Sequence, residues 1–142
     1  MNSNRNIPET LEDIKVNVKF KLAALWASLM FIYLYVDFFG LFTPGAIEEI
    51  LEGKVWEFDI TPVWALGSLI LMTVPSLMVF LSLALAAKVN RWTNIIVAIF
   101  YILVAIGTPI GETWGYIWFG SAVEIVLLAL IVWYSWKWPK QA

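Results

Sequence analysis

The chain has 142 residues, of which 61% are hydrophobic and 14% charged, with a mean hydropathy of +0.80 and a formal net charge of −2. A water-soluble domain carries about 25% charged residues, so this composition excludes one and points to an integral membrane protein. Cysteine and histidine are both absent. That removes disulfides, thiol nucleophiles, haem ligation, the usual zinc ligands and any serine–histidine relay. No catalytic residue, resident cofactor, metal or nucleic-acid partner is therefore expected.

Ahead of the first apolar stretch, residues 9–21 are ambiguous. Leu11, Ile14 and Val18 suit a helix, whereas Ile14, Val16, Val18 and Phe20 alternate as in a strand. A strand here has no evident partner, so the segment reads as a basic interfacial helix starting at Thr10, with Asp13 completing a capping box.

Four apolar stretches follow, at about residues 22–42, 62–87, 92–110 and 114–136. Each is close to the ~20 residues that carry a helix across about 30 Å of hydrocarbon. The first begins too far into the chain and runs too long for a cleavable signal, so it is expected to stay as a helix. The expected fold is all-α: an up-down four-helix membrane bundle forming a single domain over 1–142. Aromatic residues mark the span ends, since indole and phenol rings favour the interface. In the last span Trp114, Tyr116 and Trp118 stand at one end and Trp133, Tyr134, Trp136 and Trp138 at the other.

Orientation follows from the basic residues. Arg5, Lys15, Lys19, Lys21, Lys88, Arg91, Lys137 and Lys140 share one side, and Lys54 alone among the nine lies on the other. The positive-inside rule then puts both termini in the cytoplasm. The connection 43–61 faces outward and carries Glu48, Glu49, Glu52, Glu57 and Asp59. Within it, Ile47, Ile50 and Leu51 against Glu48 and Glu49 suggest a short helix lying on the membrane, ended by Gly53. It reads either as a solvated cap or as a cation-attracting vestibule. The other two connections, 88–91 and 111–113, are short enough to force antiparallel neighbours, so spans two, three and four run side by side and span one closes the bundle.

Two ionisable residues lie within spans, each costing about 2.5–3.5 kcal/mol in hydrocarbon. Asp37 falls roughly 8 Å below the outer end of span one, and Glu124 roughly 15 Å from Trp114, near the midplane. Helical spacing aligns Trp26, Met30, Tyr33 and Asp37 on span one, Asn94, Ala98, Tyr101, Ala105 and Thr108 on span three, and Gly120, Ser121, Glu124, Leu128 and Ile131 on span four. These small or polar faces are expected to meet inside the bundle. No lysine or arginine falls inside a span, so Glu124 is expected to keep its proton and Asp37, nearer water, to be mixed. Either the acids are interhelical glue, hydrogen-bonded by Tyr33 or Tyr101, or they line an outward-facing cavity with Tyr33, Tyr101 and Ser121 that binds a proton, a cation or an amine. Pro75 within span two leaves a carbonyl near Leu71 unbonded, and a Ser or Tyr hydroxyl is expected to supply the donor. The bend is either a packing kink or a hinge.

The run Lys21 to Ser28, Tyr35-Val36-Asp37-Phe38-Phe39-Gly40-Leu41, Pro44-Gly45, Val74-Pro75-Ser76-Leu77-Met78, Val89-Asn90-Arg91-Trp92 with Asn94, and Glu124 followed by Ile131 to Pro139 resembles a family of small bacterial four-helix membrane proteins of unknown function. More distantly, the architecture is similar to that of DoxX-like proteins. The resemblance implies the topology and a bacterial cytoplasmic (inner) membrane; it implies no activity. Partners expected from the sequence are the lipid bilayer, a small-molecule or cation ligand, and a further copy or another membrane protein. The leading functional expectation is binding, with transport as an extension, of a small molecule, cation or proton. Its rivals are a small multidrug exporter, which the one-sided charge bias disfavours; a non-catalytic accessory or scaffold subunit; and a membrane enzyme acting on a lipid or sterol, for which no motif is present.

Overall fold

A computed structural model describes residues 10–141. Its long helices are α1 (Val18–Gly40), α3 (Pro62–Ala84), α4 (Ala87–Gly107) and α5 (Gly115–Trp136), with a short α2 (Ala46–Leu51) in the first connection. All four long helices have the length and hydropathy of a membrane span. The chain is thus a membrane protein built as an up-down bundle.

The expected helix from Thr10 does not form. Residues 10–17 have no regular structure, and Glu9 and Arg5 lie outside the described residues. The reason is local: Asn17 has extended backbone (φ −62°, ψ 143°), which no α-helix can continue through, and its side chain accepts from the Lys19 amide at 2.9 Å. Asn17, rather than Thr10, is the N-cap. At the other end of the first connection Thr61 caps α3 through the Trp64 amide at 3.1 Å, with Pro62 in the first turn where its missing N–H costs nothing.

Residues 88–91, expected as a loop, are the first turn of α4, and only Leu85 and Ala86 separate it from α3. Side chains make so short a link tolerable by covering the free carbonyls at the end of α3. Asn90 Nδ2 donates to Ser82 O at 2.6 Å and to Leu85 O at 3.3 Å, and Lys19 Nζ reaches Leu85 O at 2.7 Å.

The first connection also contains a feature without a sequence signal. Strands β1 (Lys54–Val55) and β2 (Phe58–Asp59) pair antiparallel, Lys54 with Asp59 and Val55 with Phe58. The turn between them is Trp56-Glu57, with Trp56 at φ 54°; an Asn-Gly or Asp-Gly pair would have announced it. The α2 helix is as expected, and none of its residues is buried by the rest of the protein.

Packing follows the expected order, with one contact weaker than its short link suggests. α1 packs on both α3 and α5, α5 also packs on α4, and α3 meets α4 more sparsely despite their short link. A short link fixes direction, but buried side chains fix contact. α1 closes the bundle between α3 and α5 as expected, and it supplies Leu22, Trp26 and Leu29, all fully buried. They meet Met78 of α3, Ala98, Tyr101 and Ala105 of α4, and Leu128 and Ile131 of α5. Along α3 the buried residues are Pro75, Met78 and Ser82, all in its second half.

Candidate functional site

The bundle has a lysine-rich end, where α1 and α4 begin and α3 and α5 finish, and an acidic end carrying the first connection. Its polar interior falls into two zones. Nearest the lysine-rich end, Trp26 Nε1 donates to Asn94 Oδ1 at 2.7 Å and Ser82 Oγ donates to the same oxygen at 3.2 Å. Asn94 Nδ2 in turn donates to Asn90 O at 2.9 Å and Asn90 Oδ1 at 2.7 Å. Every hydrogen-bonding position of the Asn94 amide is occupied, and α1, α3 and α4 are tied through it. Sequence reasoning placed Asn94 on the inner face of span three but missed Asn90 and Ser82 as its partners. The signal was there: two asparagines four residues apart share one face of an otherwise apolar helix.

In the middle of the bundle Tyr101 of α4 donates its hydroxyl to the carbonyl of Leu71 on α3. This is the carbonyl that Pro75 leaves open four residues later, and α3 remains helical through the proline. The expected donor is found, and it is a tyrosine from the neighbouring helix.

Toward the acidic end lie the acids. Glu124 of α5 is 5% exposed, Ser121 one turn before it is buried, and Tyr33 of α1 is 9% exposed. Tyr33 lies within the electrostatic reach of Glu124 and of Tyr101, and Glu124 within that of Asp37. Other polar side chains of the aligned faces have partners of their own: Trp26 bonds Asn94, Tyr101 bonds Leu71, and Thr108 bonds Val104 O at 2.9 Å. The Tyr33 hydroxyl is buried with no partner among the described residues. Tyr101, expected as a second ligand-facing hydroxyl, is already committed to α3.

Asp37 stands apart from this group. It is exposed on α1, one turn nearer the acidic end than Tyr33 and flanked by exposed Phe38 and Phe39. Four residues advance a helix by about 40° beyond a full turn, enough to rotate Asp37 off the line that buries Tyr33. It is within the electrostatic reach of Tyr116, whose hydroxyl sits beside Gly40.

Two adjoining clefts follow the seam between α1 and α5. One, about 410 Å³, is lined by Phe39, Phe42, Thr43, Trp114 and Tyr116. The second, about 210 Å³, continues past Phe39 and Tyr116 to Val36, Gly120 and Val123. Neither acid lines either cleft, and their walls are apolar. Gly120 sets the depth of the second, because a Cβ there would lie 2.7 Å from Val36 Cγ2. Among the described residues no three acidic side chains converge in the manner of a metal site.

Residues 11–142 match the model of a family of unknown function, DUF6326. The chain belongs to this family. The match covers every span of the DUF6326 chain, together with Asp37, Glu124, Pro75 and the Asn90–Asn94 pair. No curated protein and no solved structure matches it.

Proposed function

We propose that this DUF6326 protein binds a small cationic or protonatable molecule, or a proton, at Glu124 and Tyr33, and that transport is the extension of that binding. The observation that carries the reading is a buried carboxyl, Glu124, within the electrostatic reach of a buried hydroxyl, Tyr33, that has no hydrogen-bond partner among the described residues. A buried polar group without a partner costs about 1–3 kcal/mol, and a ligand that bonds the Tyr33 hydroxyl while pairing with Glu124 relieves that cost. In this reading the acidic end faces outward. Asp37 then stands at the rim, the acidic first connection attracts cations, and Ser121 lies one turn from the carboxylate.

The test is titration of the detergent-purified protein with tetraphenylphosphonium and with a primary alkylamine by calorimetry, in wild type and Glu124→Gln. Binding that weakens about tenfold or more in Glu124→Gln, and strengthens as pH rises because the cation must displace a proton, supports the proposal. Binding unaffected by the substitution refutes it.

Exposed Asp37 favours a second reading, an accessory subunit of a membrane complex. A carboxylate on the outer surface of a span, between exposed phenylalanines, is costly toward lipid and much less so against a partner helix. A stoichiometric membrane partner that is lost on Asp37→Leu supports this alternative.

A further inference from the structure

The lysine-rich end holds unsatisfied groups of its own, Arg91 Nε and Ser135 Oγ, apart from the Tyr33 hydroxyl. Arg91 lies one turn into α4, with its guanidinium carbon 5.5 Å from the centre of the Trp92 ring and 5.4 Å from that of Trp136. Its Nη2 donates to Trp136 O at 3.3 Å, at the end of α5, while its Nε is buried with no partner among the described residues. Both indoles are exposed on the outside of the bundle, where span ends meet the headgroup layer. Lys88 precedes Arg91 by three residues on the same face of α4, and Lys137 follows Trp136 directly with its ammonium 5.0 Å from the Trp133 ring. A guanidinium flanked by two indoles presents a planar fork of donors. That arrangement suits the paired oxygens of a phosphate better than a lone carbonyl.

We propose that Arg91, flanked by Trp92 and Trp136 and assisted by Lys88 and Lys137, binds the phosphodiester of an anionic phospholipid. The chemistry required is a phosphate group carried on a lipid. The indoles cover its glycerol region, the two lysines answer a net negative headgroup, and the open edge of the guanidinium takes the phosphate oxygens. A zwitterionic headgroup presents the same phosphate beside a cation, which Lys88 and Lys137 repel.

The purified protein is titrated with short-chain phosphatidylglycerol, with phosphatidylcholine of the same chains, and with inorganic phosphate. Bound lipid is counted by native mass spectrometry and thermal unfolding is followed in parallel. The expected result is phosphatidylglycerol binding about tenfold tighter than phosphatidylcholine, a preference lost in Arg91→Gln and kept in Lys54→Gln at the opposite end. Equal binding of the two lipids overturns the proposal, as does a preference that survives Arg91→Gln. Stabilisation by inorganic phosphate equal to that by phosphatidylglycerol assigns the site to a free anion and overturns the lipid. If Arg91→Gln does not fold, the Lys88→Gln/Lys137→Gln double variant decides: an undiminished preference counts against the site, and a weakened one supports it.

Discussion

The hydroxyl of Tyr101 donates to the main-chain carbonyl of Leu71, the acceptor that Pro75 strips of its helical N–H. A side chain thirty positions away in sequence thus satisfies the broken helix in the membrane, where water cannot. Tyr101→Phe should lower stability by about 1–2 kcal/mol, the upper range for a hydrogen bond between membrane helices. In a Pro75→Ala background the restored amide serves the same carbonyl, so the cost of Tyr101→Phe should shrink. A double-mutant cycle in a denaturant titration reads the coupling, and equal costs in both backgrounds would contradict it.

Asn94 occupies the centre of the other polar zone, accepting from Trp26 and Ser82 and donating to Asn90. Asn94→Leu strands the indole N–H and the Asn90 side chain together. A loss of about 1–3 kcal/mol is expected, with a red-to-blue change in Trp26 emission absent from a control substitution at lipid-facing Ile96.

Gly120 of α5 faces Val36 of α1 across the cleft. The added methyl of Gly120→Ala would meet Val36 Cγ2 at 2.7 Å, and a β-branched side chain has little freedom to turn aside. A cost of about 1–3 kcal/mol is expected. Val36→Ala in the same chain should recover most of it, as measured by thermal unfolding in detergent.

Glu124→Gln keeps the shape of the side chain and removes any charge. Because no basic side chain lies within the spans to pair with the acid, the substitution should change the melting temperature little or raise it slightly. A fall of many degrees would mean that the carboxylate is ionised and paired, and the binding proposal would need a bound counter-ion in the resting protein.

Topology is open to a clean chemical test because the chain has no cysteine of its own. With single cysteines at Glu57 and Lys140, a membrane-impermeant maleimide applied to intact cells should label Glu57→Cys and spare Lys140→Cys. The reverse pattern would invert the orientation drawn from the lysines and place the acidic end inside.

The four spans, the short helix after Pro44 and the need of a donor at Leu71 were legible in the sequence, because each follows from local quantities. Apolar length sets a span, the spacing of Ile47, Ile50 and Leu51 sets a helix, and a proline removes one N–H wherever it stands. The hairpin at Trp56-Glu57 was not legible, since Trp56 takes the left-handed φ that a glycine or asparagine would have announced. The helix start was misplaced because the capacity of Asn17 to cap outweighed an apolar pattern that had no surface to pack against.

Within the site, sequence placed Glu124 and Tyr33 on inward faces, and both are buried. It placed Asp37 on the same line as Tyr33, but the drift of about 40° over four residues turns it off that line, and it is exposed. Local chemistry decided which segments cross the membrane and which groups need partners. Only the tertiary structure decided who those partners are: Tyr101 for Leu71, Asn94 for Trp26, Trp136 for Arg91. Partner choice depends on how far each helix is rotated and how closely it approaches its neighbours, and those are set jointly by the buried faces of all four helices.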